Sequence, residues 1–128
     1  MNDADLRNHW YTKFRNAFRG LKLGTRGESS FLVHFFFGAA VLIVAAAMQI
    51  ADLRQWCLLV LCIAIVLSAE LFNSALERMA RAISEQHDPN LGAALDIGSA
   101  AVLVVAAGAA VVGVIVFLAR LGELLAWW

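Results

Sequence analysis

Two carboxylates and an amide are spaced so that one face of a helix would present all three. Glu70, Asn73 and Glu77 stand at positions i, i+3 and i+7, and residues at this spacing lie on the same side of an α-helix. Residues 56–69, directly before them, carry no charge, and acids at the end of such a stretch are costly to bury in a membrane. The pattern indicates a functional site. The alternative is that Glu77 is a solvated residue at a helix end.

Further acids would join this group if the apolar stretches cross a membrane in alternating directions. The set that would then meet near one membrane face is Glu28, Glu70, Asn73, Glu77 and Asp96. Oxygen ligands of this kind suit Mg²⁺ together with substrate phosphates. A carboxylate at the lipid boundary could also accept a proton from a lipid hydroxyl. The spacing alone suits a cation pathway equally well.

The composition indicates a membrane protein. The 128 residues are 62% hydrophobic and 16% charged, with a mean hydropathy of +0.75, which is far more apolar than a soluble domain. We therefore predict a single membrane domain over residues 1–128. The net charge is zero, and no nucleic-acid partner is expected. Cys57 and Cys62 lack a His or acid at metal-ligand spacing and are interpreted as lipid- or core-facing residues.

Three apolar stretches are long enough to cross a bilayer as helices. We predict transmembrane helices over residues 29–50, 55–83 and 97–119, because about 20 apolar residues at about 1.5 Å each span a hydrocarbon core of about 30 Å. The second is longer than that core, so its far end must emerge into water. Residues 84–94 are predicted to form the main loop, with Asp88 as a possible cap of the next helix.

Residues 1–27 have the pattern of a helix lying on the membrane surface. Apolar side chains recur at helical spacing from Trp10 through Phe14 to Leu21, and basic residues occupy much of the remaining circumference. This is typical of an interfacial amphipathic helix. Six basic residues precede the first apolar stretch, which by the positive-inside rule places the N-terminus in the cytoplasm and, after three spans, the C-terminus outside.

Two further polar residues, one inside a predicted span and one directly before a span, have simpler structural interpretations. A lone His34 on an apolar face is usually a buried, hydrogen-bonded residue, although a histidine there could also contact a polar head group. Asp96 opens the third span, where a carboxylate is favoured by the helix dipole, so a cap or dipole partner is as good an interpretation as a functional role.

The run Glu70-Leu-Phe-Asn73-Ser-Ala-Leu-Glu77, followed by Asp96-Ile-Gly-Ser-Ala-Ala-Val-Leu, resembles the small prokaryotic diacylglycerol kinase and undecaprenol kinase family. Glu28-Ser-Ser-Phe31-Leu-Val-His34 resembles the family's Glu-x-x-Phe stretch, and the histidine is more similar to the undecaprenol branch. The resemblance covers nearly the whole chain. It implies an all-α homotrimeric bundle, with a surface helix and three transmembrane helices per copy, in the bacterial cytoplasmic membrane.

The resemblance also implies an activity and a set of site residues. The protein would transfer the γ-phosphoryl group of ATP, with Mg²⁺, to the hydroxyl of a membrane lipid alcohol: most simply diacylglycerol, giving phosphatidic acid, or alternatively undecaprenol. Glu70 would be the catalytic base, and Glu28 and Glu77 would hold the metal. The implied ATP-binding residues are Glu28, Asn73, Glu77, Asp96 and Arg81. The implied lipid-binding residues are Glu70, Asn73, Ser99, Phe31 and His34.

One departure from the family pattern bears on ATP binding. The family commonly has Ala-Lys-Asp before the third span, with the lysine on the phosphates, whereas this chain has Ala94-Leu95-Asp96. Arg81, Arg26 or Arg78 could replace this cation, and Arg81 is the first choice because it lies about one helical turn beyond Glu77. A non-catalytic relative that has lost phosphoryl transfer, and a small ion- or proton-conducting bundle, are the alternative hypotheses.

Overall fold

Four α-helices make up the described part of the chain. The computed structural model describes residues 3–26, 29–83 and 88–126. The helices are α1 (Asp3–Gly24), α2 (Ser29–Ala47), α3 (Leu53–Ile83) and α4 (Pro89–Leu124). The last three are each long and apolar enough to cross a membrane. The prediction of an all-helical chain with three long apolar helices is confirmed.

α2 ends three residues earlier than predicted, in a hydrogen-bonded turn. The backbone N–H of Ile50 donates to the carbonyl of Ala45, and that of Gln49 donates to Ala46. Gln49 has a φ of 54°, in the left-handed region. These bonds and this φ define a Schellman motif, which satisfies carbonyls at a helix C-terminus and usually has glycine at the left-handed position.

α3 begins at Leu53, two residues before the predicted start, because Asp52 caps it. The Asp52 carboxylate accepts from the backbone N–H of Arg54 at 2.9 Å and from its Nε at 3.3 Å. These two bonds hold the pKa of the Asp52 carboxyl below its usual range. α3 has 31 residues and is about 46 Å long, so it exceeds a bilayer core as predicted.

α4 begins at Pro89, eight residues before the predicted start at Ile97, and continues to Leu124. The Asp88 carboxylate accepts from the backbone N–H groups of Asn90 at 2.8 Å and Leu91 at 3.3 Å, which confirms Asp88 as a cap. Proline suits the first position of a helix because its φ is already helical. The prediction of a loop over residues 84–94 is therefore wrong for residues 89–94, and residues 84–87 lie outside the described part of the chain.

Asp96 consequently lies in the third turn of a helix that starts at Pro89. The helix dipole acts mainly within the first turn. The interpretation of Asp96 as a cap or dipole partner is therefore wrong, because α4 begins seven residues before Asp96.

α3 packs between α2 and α4, and it runs antiparallel to both. The end of the bundle that holds residues 48–52 and Arg120 is called the turn end below. Its buried core joins Ala45, Ile50, Leu59 and Val116. Nε of Arg120 donates to the carbonyl of Met48 at 2.9 Å, and Nη2 donates to that of Gln49 at 3.1 Å. Arg120 thus ties α4 to the end of α2.

α1 meets the rest of the bundle through its C-terminal end. Nη2 of Arg78 on α3 donates to the carbonyl of Leu23 at 2.6 Å. A Cβ built on Gly24 would come within 2.7 Å of Cδ2 of Leu71, so a side chain at position 24 would have to displace the end of the Leu71 side chain. The aromatic side chains of Trp10 and Phe14 are exposed. The amphipathic surface role of residues 1–27 stays a prediction.

Candidate active site

Glu70 is a buried carboxylate that two side chains of α2 contact. It is 3% exposed. Oγ of Ser30 donates to its Oε2 at 3.1 Å, and Nε2 of His34 lies 3.1 Å from its Oε1. Ser30 and His34 stand one helical turn apart, so they share a face of α2. Each oxygen of the carboxylate therefore has one polar neighbour.

These contacts explain how an acid is accommodated among apolar helices. A carboxylate taken out of water is strongly destabilising unless it is paired or hydrogen-bonded. A carboxylate also has about four lone-pair sites, so the contacts from Ser30 and His34 leave capacity for a further proton or hydrogen bond. Glu70 can therefore act as a proton acceptor where it lies.

A second polar group follows along α3. Nδ2 of Asn73 donates to Oε1 of Glu77 at 3.1 Å. Nη1 of Arg81 lies 3.8 Å from Oε2 of Glu77. The three side chains succeed one another at four-residue steps, which puts them in one row of the helix. The row of Asn73, Glu77 and Arg81 is more exposed to solvent than Glu70, because Arg81 is exposed and Glu77 is half-buried.

The amide oxygen of Asn73 is unusual within this row. It is buried, and it has no hydrogen-bond partner among the described residues. Buried polar atoms are nearly always paired, so an orphaned acceptor marks a place where an ion or ligand group would be favourable.

α4 approaches this row through Gly98. A Cβ at position 98 would stand 2.6 Å from Oδ1 of Asn73 and 3.0 Å from Cδ1 of Leu76. A side chain at position 98 would therefore have to displace the ends of the Asn73 and Leu76 side chains. The two polar groups consequently face different neighbours: Glu70 faces α2, and Asn73 faces α4.

The separation of the two groups along α3 suits two chemical tasks. Glu70 and Glu77 are seven residues apart, or about 10 Å along the axis. The Glu70 group holds a proton acceptor in an apolar setting. The row of Asn73, Glu77 and Arg81 offers two kinds of oxygen and a cation at a wetter position, which suits charged groups such as phosphates and a metal.

The remaining predicted site residues are placed as follows. Phe31 is buried on α2, and Asp96 and Ser99 are exposed on α4. Glu28 lies outside the described residues. In the parts of the chain that are described, no three His, Cys, Asp or Glu side chains converge as a metal cluster. The roles predicted for Glu28, Phe31, Asp96 and Ser99 stay predictions.

Ser30 and Gly98 are not among the site residues predicted from the sequence. Ser30 had a usable signal, because it precedes His34 by four residues and so shares its helix face. Gly98 had none in the sequence alone, since α4 contains several glycines and only the approach to Asn73 separates this one from the others.

An apolar groove runs along the bundle and includes His34 in its lining. Its volume is about 480 Å³, and residues of all three long helices line it, among them Val33, His34, Val66, Ala106 and Phe117. His34 contacts Glu70 with one ring nitrogen. The groove therefore leads along apolar side chains to a residue that touches the buried carboxylate.

Comparison with known proteins defines the class. The family model described as prokaryotic diacylglycerol kinase matches residues 15–117. The chain belongs to this family, and it is a membrane lipid kinase.

A particular relative is the undecaprenol kinase of Bacillus subtilis (strain 168). The two sequences are 32% identical over 124 residues, which cover 94% of this chain and 100% of that protein. The similarity favours the kinase hypothesis over an ion-conducting bundle.

Proposed function

We propose that this protein transfers the γ-phosphoryl group of ATP to the hydroxyl of undecaprenol. The observation that carries the proposal is the buried Glu70 carboxylate beside His34, which also lines the apolar groove. A lipid whose tail lies in that groove would present its hydroxyl near a proton acceptor. The name of the Bacillus subtilis relative favours a polyprenol over diacylglycerol.

In this mechanism Glu70 acts as the general base. The lipid hydroxyl oxygen forms a bond to the γ-phosphorus while the bond from that phosphorus to the ADP oxygen breaks, and the hydroxyl proton passes to a carboxylate oxygen of Glu70. Phosphoryl transfer needs little covalent chemistry from the protein, so catalysis depends on positioning and on charge.

The second polar group fits Mg²⁺ and ATP. Mg²⁺ is usually bound by one or two carboxylates plus substrate phosphates rather than by a full protein cage. Glu77 supplies a carboxylate that accepts from Nδ2 of Asn73. The same Asn73 side chain carries an unpartnered amide oxygen, and Glu28 would be the further ligand. When bound, the metal would neutralise charge on the phosphates.

Arg81 is proposed as the cation that contacts the ATP phosphates, in place of the family lysine at the position of Leu95. Its guanidinium lies beside Glu77, so it is next to the proposed metal ligand. Arginine binds phosphate through two parallel N–H donors. Asp96 is proposed to contact the ribose or adenine. Phe31, Ser99 and Asn73 are proposed to contact the lipid.

The proposed setting is the bacterial cytoplasmic membrane, with the N-terminus inside, the C-terminus outside and three copies per assembly. The six basic residues before α2 support the orientation, because basic residues cluster on the cytoplasmic side of membrane proteins. Many large apolar side chains of α2, α3 and α4 are exposed in one copy, which supports burial against lipid and against other copies. Light scattering of the detergent-solubilised protein would test the number of copies.

The activity is tested by following label from γ-labelled ATP into lipid. Purified protein receives undecaprenol or diacylglycerol at the same mole fraction in mixed micelles. We expect kcat/KM for undecaprenol to exceed that for diacylglycerol by about tenfold or more. Glu70→Gln should lower kcat about 10²-fold or more, whereas the matched control Glu123→Gln, at the turn end, should leave it unchanged. If label reaches neither lipid, the proposal is refuted.

Diacylglycerol is the second candidate substrate, because the matching family model carries its name. Diacylglycerol also presents one hydroxyl beside an apolar tail, so the groove accommodates either class. A kcat/KM that is higher for diacylglycerol in the same assay would establish this candidate instead.

A further inference from the structure

We propose that Ser30 and His34 are positioning residues, which hold the Glu70 carboxylate by its two oxygens in the orientation needed for proton transfer. The inference rests on the proposed role of Glu70 as the base. It gives His34 a role through Glu70, whereas the sequence-based prediction gave it a contact with the lipid.

The geometry supports a two-point hold. Ser30 contacts Oε2 and His34 contacts Oε1, each at 3.1 Å. Both contacts come from one face of α2, so they fix the plane of the carboxylate as well as its position. A glutamate side chain otherwise has several rotatable bonds, and its terminal torsion has a broad distribution.

The burial of Glu70 makes its contacts with Ser30 and His34 important. Glu70 is 3% exposed, so water can scarcely replace a contact that is lost. Removing one partner of a buried charged group leaves that charge uncompensated. Without Ser30 or His34, the side chain should therefore turn away or take up a proton, and either change removes a base from the position of reaction.

Small displacements have large effects on such a reaction. A misplacement of about 1 Å can lower a rate about 10²-fold. A residue that acts by orienting Glu70 should therefore change kcat and leave the KM values unchanged. Leucine at position 34 keeps the lining of the groove apolar, so we expect the proposed site of the lipid tail to be preserved. A residue that contacts the lipid should instead raise the KM for lipid.

The experiment compares two substitutions at position 34 and one at position 30. His34→Leu and Ser30→Ala remove the polar contacts, and we expect each to lower kcat about 10- to 100-fold, with both KM values within about twofold of the original. His34→Gln places an amide nitrogen near the position of Nε2, and it should restore kcat to within about fivefold.

Matched controls come from neighbouring or like residues. Ser29→Ala removes the adjacent hydroxyl on α2, and His9→Leu makes the same exchange on α1; both positions are exposed. Each control should leave kcat unchanged. Thermal unfolding in detergent would show that each variant is folded.

Two kinetic results would overturn the inference. One is a raised KM for lipid with unchanged kcat in His34→Leu, which would make His34 a lipid contact. The other is equal loss in His34→Leu and His34→Gln, which would mean that the imidazole itself is required. If His34→Leu does not fold, Ser30→Ala decides by the same criteria.

A readout without activity separates this inference from the proposed function. A hydrophobic carbodiimide modifies protonated carboxyl groups in apolar surroundings, and Glu70→Gln provides the blank. Labelling of Glu70 should be low in the original protein and several-fold higher in His34→Leu and Ser30→Ala. Equal labelling in all three would overturn the positioning role even if no lipid substrate were phosphorylated. Absence of labelled lipid together with the expected carbodiimide pattern would refute only the proposed function.

Discussion

Gly98 of α4 lies against the side-chain amide of Asn73 of α3, so closely that a Cβ on Gly98 would stand 2.6 Å from Oδ1 of Asn73. Nδ2 of the same amide donates to Glu77. We therefore expect the arrangement of the proposed ATP and metal residues to depend on the absence of a side chain at position 98.

Gly98→Ala tests this dependence. The added methyl must displace the Asn73 amide or the backbone of α4, so we expect kcat/KM for ATP to fall about tenfold or more. Gly108→Ala on the same helix is the control, because a Cβ there meets nothing within 4 Å. Steady-state kinetics with varied ATP would measure both. Equal activities in the two variants would show that the close approach is unimportant.

Glu77→Gln should raise the Mg²⁺ concentration needed for half-maximal activity. The substitution removes a carboxylate charge and keeps the shape of the side chain, and Mg²⁺ prefers carboxylate oxygen. We expect about a tenfold increase at saturating lipid, by analogy with the loss of one charge-assisted contact. The measurement is a Mg²⁺ titration at fixed ATP. Unchanged Mg²⁺ dependence would exclude Glu77 as a ligand.

Arg81→Ala should raise the KM for ATP about tenfold, because it removes a phosphate-binding cation next to Glu77. Adding Leu95→Lys to this variant should restore part of the loss, since lysine is the residue that the family commonly has at that position. Arg54→Ala, at the turn end, serves as the control for loss of an arginine. An unaffected KM in Arg81→Ala would assign the phosphates to another cation.

Gln49→Gly should stabilise the protein. Gln49 has a φ of 54° at the left-handed position of the Schellman motif, where a side chain is unfavourable by about 1 kcal/mol relative to glycine. Arg120 contacts only the backbone carbonyl of residue 49, so the exchange preserves that bond. Thermal unfolding in detergent should show a higher midpoint, and Gln55→Gly, inside α3, should show a lower one.

The sequence was most informative about the features that depend on long apolar stretches. Three apolar stretches predicted three long apolar helices, and the described part of the chain has them. The predicted start of α4 was wrong because proline is common both in turns and at the first position of a helix. Pro89 was interpreted as part of a turn, whereas Asp88 caps a helix that Pro89 begins.

From the sequence, the site could be predicted only where its residues lie on the same helix. The positions of Glu70, Asn73 and Glu77 on one helix follow from their spacing, and the structure adds the bond between Asn73 and Glu77. Contacts between helices depend on rotation and depth, which no single-helix pattern fixes. For this reason the pairing of Glu70 with Ser30 and His34, and the approach of Gly98, became visible only in three dimensions.

The bonds from Arg120 to the end of α2 make the turn end a pivot. α2 has 19 residues and is about 28 Å long, so a rotation of about 5° at the pivot would swing Ser30 sideways by roughly 2.5 Å at the opposite end. That swing would break a contact of 3.1 Å such as the one between Ser30 and Glu70. A tilt of a few degrees would therefore be enough to separate Ser30 from Glu70, at the end of α2 opposite the carbonyls that Arg120 contacts.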